Sequence, residues 1–282
     1  MGNSVETRDS FQSFGGRVMF LTHPSKETGT PMRFGLYLPP QAERGPVPAL
    51  YYLAGLTCTE ETFLIKAGAV RVAARLGLAL VAPDTSPRGL DLPGIRDSWD
   101  FGEAAGFYID ATEEPWAKNF RMFSYVTAEL PALIEANFPV MPSKRGIFGH
   151  SMGGHGALTI ALTQPERWRS LSALAPICNP VAVPWGEKAF SHYLGPDRAA
   201  WAAHDASLLM RRGPYPGAIL IDQGMADKFL EAQLRPEALE RAAAAVAQEL
   251  TLRRHPAYDH SYWFIQSVIE DHLTWHADRL AG

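Results

Sequence analysis

Short apolar runs and helical patterns alternate along almost the whole chain, and this alternation restricts the fold more than any other feature. The apolar runs cover residues 48–56, 78–84, 145–150, 170–177 and 217–224, and the more polar stretch 251–256 is predicted to be the last strand. The segments of helical composition cover residues 63–77, 121–139, 152–164 and 237–250. Strands that alternate with helices pair in parallel, and their helices cover both faces of the sheet. We therefore expect an α/β protein with a mostly parallel central sheet.

The two ends of the chain and its longer loops complete this prediction. Residues 17–24 and 32–40 form an early hairpin pattern around a turn-rich link, and the segment from Tyr262 onward is a helix pattern. Residues 88–116 are rich in loops, and residues 178–212 resemble loops and short helices between strands. Pro131 should kink or interrupt its helix. No repeat or linker divides the chain, so we expect one domain over residues 1–282.

Composition and charge exclude several classes of protein. The 282 residues carry a formal net charge of −4 with interspersed signs, which does not favour nucleic-acid binding. The N-terminus has no apolar core of a secretory signal, and no stretch approaches 18 apolar residues, so we expect neither export nor a membrane span. Two cysteines make no disulfide framework. These features predict a soluble, cytoplasmic protein.

The stretch "GIFGHSMGGHGAL" places a serine between a predicted strand and a predicted helix. Gly149 and Gly153 flank Ser151 in a G-x-S-x-G pattern. In a nucleophile elbow this pattern forms a sharp turn that lifts the hydroxyl above the sheet edge, where larger flanking side chains would collide. A plain strand–turn–helix junction is the alternative, since the bare pattern is common. The predicted strand and helix around it favour a catalytic Ser151.

A serine hydroxyl needs a general base and an acid that orients the base. In enzymes with this elbow the chain order is serine, acid, histidine. Two aspartates lie near the end of the apolar run 217–224. Asp222 lies within that run, whereas Asp227 lies beyond Gly224, in a loop at the carboxyl edge of the sheet. We therefore choose Asp227 as the acid and interpret Asp222 as a turn-stabilising residue.

Nine histidines compete for the role of base. His260 lies between the last predicted strand and the final helix, where the base belongs. His255 lies within or just after that strand. His150 and His155 are tied to the elbow, so we expect their rings to pack or hydrogen-bond locally. The sequence order therefore predicts His260 as the base.

The oxyanion of an acyl-transfer reaction needs amide donors close to the nucleophile. The amide of Met152, at the start of the helix after Ser151, is one candidate, and the amide of Leu56, in the loop after an early strand, is the second. Cys58 lies in the same loop, but no histidine lies near it in the sequence, so we interpret it as a small buried residue. No C-x-x-C or H-E-x-x-H pattern predicts a metal site, and this chemistry needs no cofactor.

Several longer motifs resemble those of one family, the S-formylglutathione hydrolases, also called the esterase D family. They include "YYLAGLTCTEETF", "APDTSPRG", "AGFYIDAT", "GIFGHSMGGHGAL", "CNPVAVPWGEKAFSHYLG", "DQGMADKFL" and "YDHSYWFI", and the resemblance runs from about residue 32 to residue 276. It implies an α/β-hydrolase fold and hydrolysis of S-formylglutathione in formaldehyde detoxification. It places the catalytic relay on Ser151, Asp227 and His260, and it suggests a homodimer.

The chain departs from the family pattern in the loop-rich stretch. Ile95-Arg96 stands where relatives carry an acidic pair, and Glu103-Ala104 stands where they carry Thr-Gly. Loss of that glycine could alter a turn that requires φ > 0. These positions bear on substrate preference rather than on the chemistry. Lys188 and Arg96 are candidates for binding the carboxylates of glutathione, although solvent-facing charge is the simpler interpretation of both.

Three functions are compatible with these residues. The first is hydrolysis of the small-molecule thioester S-formylglutathione by Ser151. The second is a broader short-chain carboxylesterase or acyltransferase that uses the same relay. The third is a binding protein that kept the fold without its activity, since a fold alone does not prove catalysis. The intact order of serine, aspartate and histidine argues against the third.

Overall fold

Nine strands form one sheet in the computed structural model of the chain, which describes residues 4–282. The strands are β1 Glu6–Ser13, β2 Gly16–Pro24, β3 Pro31–Leu38, β4 Val47–Leu53, β5 Ala79–Pro83, β6 Val140–His150, β7 Ser170–Leu174, β8 Ile219–Gly224 and β9 Leu250–His255. Their order across the sheet is β1-β2-β3-β5-β4-β6-β7-β8-β9. The first three pairings in this order are antiparallel, and all pairings from β5 to β9 are parallel. The prediction of a mostly parallel sheet is therefore confirmed.

Helices connect the parallel strands and cover the sheet. They are α1 Thr62–Lys66, α2 Ala69–Leu76, α3 Met122–Ser124, α4 Leu130–Asn137, α5 Met152–Thr163, α6 Pro184–Tyr193, α7 Arg198–Trp201, α8 Ala206–Met210, α9 Pro236–Ala245 and α10 Tyr262–Ala281. Two π-helical turns cover Tyr125–Glu129 and Leu230–Leu234. Short 3₁₀ turns cover Pro40–Glu43, Pro165–Arg167, Pro180–Ala182 and Ala202–His204.

Strand β6 shows that α5 and α10 cover opposite faces of the sheet. A Cβ atom added to Gly146 would lie 2.9 Å from Nδ1 of His276 in α10, and the Phe148 ring packs 5.2 Å from the same imidazole. A Cβ atom added to Gly149 would instead lie 2.3 Å from the carbonyl oxygen of Gly153 in α5. Successive residues of a strand point to opposite faces. The two helices therefore enclose the central strands, whose side chains are almost fully buried.

The carboxyl ends of the parallel strands meet at one edge of the sheet. Leu56 follows β4, Ser151 follows β6 directly, Asp227 follows β8, and His260 follows β9. In open parallel sheets the loops at this edge form the ligand site. The topology thus brings four segments that are distant in sequence to the same side of the molecule.

Strand β1 has no counterpart in the sequence prediction. It pairs antiparallel with β2 at the outer edge of the sheet, from Glu6 opposite Thr22 to Ser13 opposite Gly16. Seven of its eight residues are exposed, and even Phe11, whose ring meets that of the core residue Phe20 edge-on at 6.3 Å, is 53% exposed. An exposed strand has no alternation of apolar and polar residues, so its pattern resembles a polar tail.

One predicted helix is interrupted and another is irregular. Gly68, with φ of 69°, separates α1 from α2 within residues 63–77. In residues 121–139, the π-helical turn Tyr125–Glu129 precedes α4, and Pro131 occupies the first turn of α4. The helical backbone runs on unbroken from this turn into α4, and the Leu130 amide donates to the carbonyl oxygen of Tyr125 in the π-helical pattern. Proline has no amide hydrogen to donate, so the helix is irregular just before Pro131 but is not broken by it.

The prediction of one domain over residues 1–282 includes residues 1–3, which lie outside the described residues. Over residues 4–282, no helix combines the length and the apolar character that a membrane crossing requires.

Candidate active site

Ser151 occupies a strained backbone turn between β6 and α5. Its φ of 58° and ψ of −118° are unusual for any residue other than glycine and cost on the order of 1–3 kcal/mol. The surrounding backbone holds this conformation. The Ser151 amide donates to the carbonyl oxygen of Leu174 at 3.0 Å, and its own carbonyl accepts from the amides of His155 at 3.0 Å and Ile177 at 3.2 Å. The end of the adjacent strand β7 and the start of α5 therefore fix the turn.

The two glycines that flank Ser151 permit this close packing. A Cβ atom at Gly153 would lie 1.9 Å from the carbonyl oxygen of Leu53 in β4, and one at Gly149 would lie 2.3 Å from the carbonyl oxygen of Gly153. Both distances are far below van der Waals contact, and the obstructing atoms belong to the backbone. The expected collision with a neighbouring strand and helix is therefore present at both positions.

His260 and Asp227 form a hydrogen-bonded pair. Nδ1 of His260 lies 2.5 Å from Oδ2 of Asp227, and the carboxylate is buried. Oδ1 of Asp227 accepts from the amide of Phe229 at 2.8 Å, while Nε2 of Gln223 lies 3.4 Å from Oδ2. Because an ionised carboxylate only accepts, the proton of a neutral His260 ring lies on Nδ1. Its Nε2 lone pair is then available as a base.

Ser151 and His260 line the same pocket, which has a volume of about 230 Å³. The pocket is lined by Gly55, Leu56, Thr57, Cys58, His150, Ser151, Trp185, Phe229, His260 and Tyr262. Among the hydrogen bonds of residues 4–282, none joins the Ser151 hydroxyl to the His260 imidazole. Such bonds are often long in unliganded enzymes and shorten when the substrate binds. The structure therefore brings the predicted serine, histidine and aspartate to one site.

The two predicted oxyanion donors, the amides of Leu56 and Met152, belong to segments that meet at Ser151. Met152 is the first residue of α5, where the amide groups have no intrahelical acceptor. Leu56 lies in the loop after β4. That loop contacts the nucleophile turn, since a Cβ atom at Gly55 would lie 3.2 Å from Cβ of Ser151. The amide of Thr57 donates to the carbonyl oxygen of Ala104 at 3.1 Å, which fixes the loop from the opposite side.

Asp222 binds a different set of partners. Its buried carboxylate accepts from Arg253 at 2.5 Å and lies 3.1 Å from Nε2 of His272. Nε2 of His255 also lies 3.1 Å away, without the alignment of a hydrogen bond. Burial raises the pKa of Asp222, but hydrogen bonds from His272 and Arg253 outweigh burial and hold that pKa well below its usual range. The other candidate acid therefore serves an internal charge network rather than a turn.

The two histidines beside Ser151 remain neutral. The ring of His150 packs on that of His260 with centroids 4.4 Å apart, and burial, followed by the neighbouring His260, lowers the pKa of His150 well below its usual value. Nε2 of His155 lies 3.2 Å from the carbonyl oxygen of Phe107, and burial lowers the pKa of His155 to about 3. Local packing and hydrogen bonding thus account for both rings, as the sequence predicts.

Cys58 lines the pocket but lacks the environment of a nucleophile. Burial raises the pKa of its thiol, and hydrogen bonds with Tyr262 and Thr62 offset this only in part. Reactive cysteines instead have a lowered pKa beside a cation or a helix N-terminus. Over residues 4–282, no group of three His, Cys, Asp or Glu side chains is arranged to hold a metal ion.

Three aromatic walls of the pocket were not assigned by the sequence prediction. Trp185 comes from α6, Phe229 follows Asp227, and Tyr262 begins α10. The rings of Trp185 and Phe229 lie 4.7 Å apart, and Phe229 meets His260 edge-on at 5.1 Å. Nothing in the spacing of these residues marks them as neighbours, because they come from separate elements.

The departures from the family pattern contact one another in the structure. Arg96 forms an ion pair with Glu103 at 3.1 Å, and the carbonyl oxygen of Ile95 accepts from the Glu103 amide at 2.9 Å. Ala104 has a φ of 66°, so the turn retains the left-handed conformation without glycine. Lys188 pairs with Asp100 at 2.5 Å. Both cations proposed for glutathione carboxylates therefore already have acidic partners.

Comparisons with known proteins agree with this geometry. The model of a family described as "Putative esterase" matches residues 25–276. The chain is 55% identical over 277 residues to an S-formylglutathione hydrolase of Paracoccus denitrificans, covering 98% of this chain and 99% of the relative. It is 54% identical over 275 residues to that of Mus musculus, covering 96% and 97%. The solved structure of an S-formylglutathione hydrolase from Agrobacterium tumefaciens superposes with a TM-score of 0.95 at 50% identity, covering 97% of this chain and 99% of that one.

Proposed function

Since the chain belongs to the family of S-formylglutathione hydrolases, with the α/β-hydrolase fold, we propose that it hydrolyses S-formylglutathione to formate and glutathione, a step in formaldehyde detoxification. The observation that carries this proposal is the pocket that Ser151 and His260 share at the carboxyl edge of the sheet. There a strained serine lies in the same pocket as an imidazole whose other nitrogen is bound to a buried carboxylate.

The reaction proceeds through a formyl-enzyme. Nε2 of His260 accepts the hydroxyl proton while Oγ of Ser151 attacks the thioester carbonyl carbon. Asp227 holds the imidazole in the tautomer that this transfer requires and stabilises its charge. The C–S bond then breaks, and the departing sulfur takes the proton from His260. Water, activated by the same nitrogen, attacks the formyl ester and releases formate and the free hydroxyl.

Two backbone amides stabilise the tetrahedral intermediates. The amides of Leu56 and Met152 donate to the oxygen that becomes negative in each intermediate. Loss of one such donor costs roughly 3–4 kcal/mol of transition-state stabilisation in comparable enzymes. Ser151 and Thr57, whose φ is 69°, both have conformations that a relaxed chain avoids, and backbone hydrogen bonds to Leu174 and Ala104 hold the two turns in them, which supports this arrangement.

The size of the pocket supports a small acyl group. Ligand pockets commonly span about 300–1,000 Å³, whereas this one measures about 230 Å³ and has Trp185, Phe229 and Tyr262 among its walls. A formyl group has no carbon beyond its carbonyl and fits beside Ser151 without displacing these rings.

The broader carboxylesterase or acyltransferase is the second candidate, because the same relay cleaves short esters. Steady-state kinetics on S-formylglutathione and on short acetyl esters separate the two functions. We expect a kcat/KM that is larger for S-formylglutathione by several orders of magnitude, and a clear preference for acetyl esters would reverse the assignment. Labelling of Ser151 by a fluorophosphonate tests the third candidate, a binding protein, which would leave the serine unreactive.

A cytoplasmic location and a homodimer complete the proposal. The two cysteines, Cys58 and Cys178, are both free thiols, which suits a reducing compartment. The homodimer rests on the family resemblance alone. Size-exclusion chromatography with light scattering tests it directly.

A further inference from the structure

The chemistry of the leaving group indicates where the glutathione part of the substrate lies, provided that the proposed function is correct. His260 takes the proton of Ser151 and must return it to the departing sulfur. A general acid has to lie within hydrogen-bond reach of the atom that it protonates. The sulfur, and the peptide attached to it, therefore leave on the His260 side of the catalytic pocket.

A second pocket lies on that side. It has a volume of about 380 Å³ and is lined by Ala226, Lys228, Phe229, Asp259, His260 and Ser261. It shares Phe229 and His260 with the catalytic pocket, so these two rings form the boundary between the two spaces. A substrate bound with its thioester at Ser151 reaches the second pocket by extending past these two rings.

Lys228 supplies positive charge to the second pocket. Its ammonium lies 4.9 Å from the centre of the Phe229 ring, which in turn lies 5.1 Å from that of His260. The ammonium is therefore within about 10 Å of the imidazole. A carboxylate that pairs with it lies about 3 Å short of it, so an arm of about 7 Å from the central sulfur suffices, which is the length of about two extended residues.

The remaining charges make Lys228 the favoured anion contact. Among the ion pairs formed by residues 4–282, none includes Lys228, whereas Lys188 and Arg96 bind Asp100 and Glu103. On the other wall, Oδ1 of Asp259 accepts from the amide of Ser261 at 3.0 Å and from its hydroxyl at 2.6 Å. Its second oxygen is available to a cation. Glutathione carries two carboxylates and one ammonium, which matches a pocket with one charge of each sign.

We propose that this second pocket binds the peptide part of the glutathione thioester and that Lys228 is a specificity-determining residue that pairs with one of its carboxylates. Asp259 faces the ammonium of the same ligand. Lys228 touches no reacting atom, so its contribution appears in substrate binding rather than in the chemical step.

The test compares Lys228→Met and Lys228→Glu with a matched control, Lys118→Met. Lys118 is also exposed, and it lines neither pocket. Each variant is assayed with S-formylglutathione and with the uncharged formyl thioester of N-acetylcysteamine. We expect the ratio of the two KM values to rise about two- to five-fold in Lys228→Met, as for a solvent-accessible ion pair, and further in Lys228→Glu. The ratio should stay at the wild-type value in Lys118→Met.

Ionic strength gives an independent measurement, because salt screens an exposed ion pair. Added sodium chloride should raise the KM of the wild type for S-formylglutathione, and this rise should shrink in Lys228→Met. If both Lys228 variants keep the wild-type ratio while the wild type still prefers S-formylglutathione over the uncharged thioester, the inference is wrong and the proposed function stands. If the wild type shows no such preference, the proposed function itself fails, and the inference fails with it.

Discussion

The molecule contains two sets of serine, histidine and aspartate, one at the edge of the sheet and one in its interior. At the edge, Asp227 binds His260, and Ser151 lines the same pocket. In the interior, the Ser172 hydroxyl lies 2.8 Å from Nδ1 of His272, whose Nε2 lies 3.1 Å from Asp222. By hydrogen bonds alone, the interior set resembles a catalytic triad as closely as the edge set does.

Access and backbone geometry separate the two sets. Ser172, His272 and Asp222 are each 0% exposed, so no substrate reaches them. Ser172 lies within the regular strand β7, whereas Ser151 is held in a strained turn beside the amides that begin α5. Residue types and hydrogen bonds therefore do not suffice to make a serine a nucleophile. A serine also needs an open position and donors for the oxyanion.

The interior set is part of a longer chain of hydrogen bonds that joins α10 to the sheet. Nε2 of His276 lies 2.8 Å from the Ser172 hydroxyl, and its Nδ1 lies 2.6 Å from the Ser170 hydroxyl. One direction of donation satisfies every atom, from Ser170 through His276, Ser172 and His272 to the carboxylate of Asp222. Because α10 begins just after His260, this chain anchors the helix that supports the edge.

Replacing the two serines should give the largest contrast. We expect Ser151→Ala to lower kcat/KM for S-formylglutathione by about 10⁴-fold or more while leaving the unfolding free energy close to the wild-type value, because the reaction loses its nucleophile. Ser172→Ala should keep turnover near that of the wild type but lower the unfolding free energy by about 1–3 kcal/mol, because it leaves two buried imidazole nitrogens without partners. Kinetics and urea unfolding measure both effects. Near-normal turnover in Ser151→Ala would show that the edge set is not the catalytic one.

Replacing the two aspartates should likewise affect activity at the edge of the sheet and stability in its interior. Asp227→Asn should lower kcat by about 10⁴-fold, because an amide favours the wrong tautomer of His260. Its stability should change little by comparison. Steady-state kinetics at fixed pH provide the measurement.

Asp222→Asn is the matched variant in the interior. It should lower the unfolding free energy by about 1.5–3 kcal/mol, because it removes the charge that accepts from Arg253 and His272, while Arg253 is partly exposed and keeps its second partner, Asp271. Denaturant titration measures this loss. If Asp222→Asn instead lost activity at unchanged stability, the two sets would not differ in the way that their burial indicates.

Acid should destabilise the interior set. Burial, assisted by the nearby Arg279 charge, holds the pKa of His276 well below its usual value, so the unfolded chain binds a proton that the folded protein does not. The stability that the neutral His276 ring contributes is therefore fully present above the unfolded pKa of about 6.5. It is lost as the pH falls below that value, by about 1.4 kcal/mol per pH unit. Urea unfolding at several pH values between about 7.5 and about 5.5 gives the dependence of the unfolding free energy on pH. In His276→Gln this dependence should be weaker than in the wild type, because about one proton fewer is taken up on unfolding. Ser170→Ala, which removes a hydrogen bond but no titrating ring, should keep the wild-type slope.

Relief of strain at the edge should give the smallest effect. Ala104→Gly replaces an L-residue at φ of 66° with the residue that this conformation favours, and we expect it to raise the unfolding free energy by about 1 kcal/mol. Thermal unfolding should show a shift of about 2–4 °C. Ala244→Gly, in the regular helix α9, is the control and should be destabilising by about 1 kcal/mol. Equal signs in the two variants would show that the edge turn is not strained.

The local pattern of the sequence determined the order of strands and helices after residue 17 and the elbow around Ser151. It also placed Asp227 and His260 on loops at one edge. These features depend on apolar periodicity and on glycines that avoid collisions at one turn. A short segment of sequence therefore suffices to predict them. The family resemblance added the activity. Strand β1 was not predicted, because an edge strand without a buried face shows no alternation of apolar and polar residues.

The packing of distant elements determines which of the two similar sets lies open to solvent. Asp222 and Asp227 differ by five positions, yet packing of α10 places the first beside Arg253 and His272 and leaves the second beside His260. The aromatic walls of the pocket and the position of Lys228 were likewise decided by contacts between distant segments. Such contacts depend on how whole elements pack, and a short stretch of sequence does not contain that information.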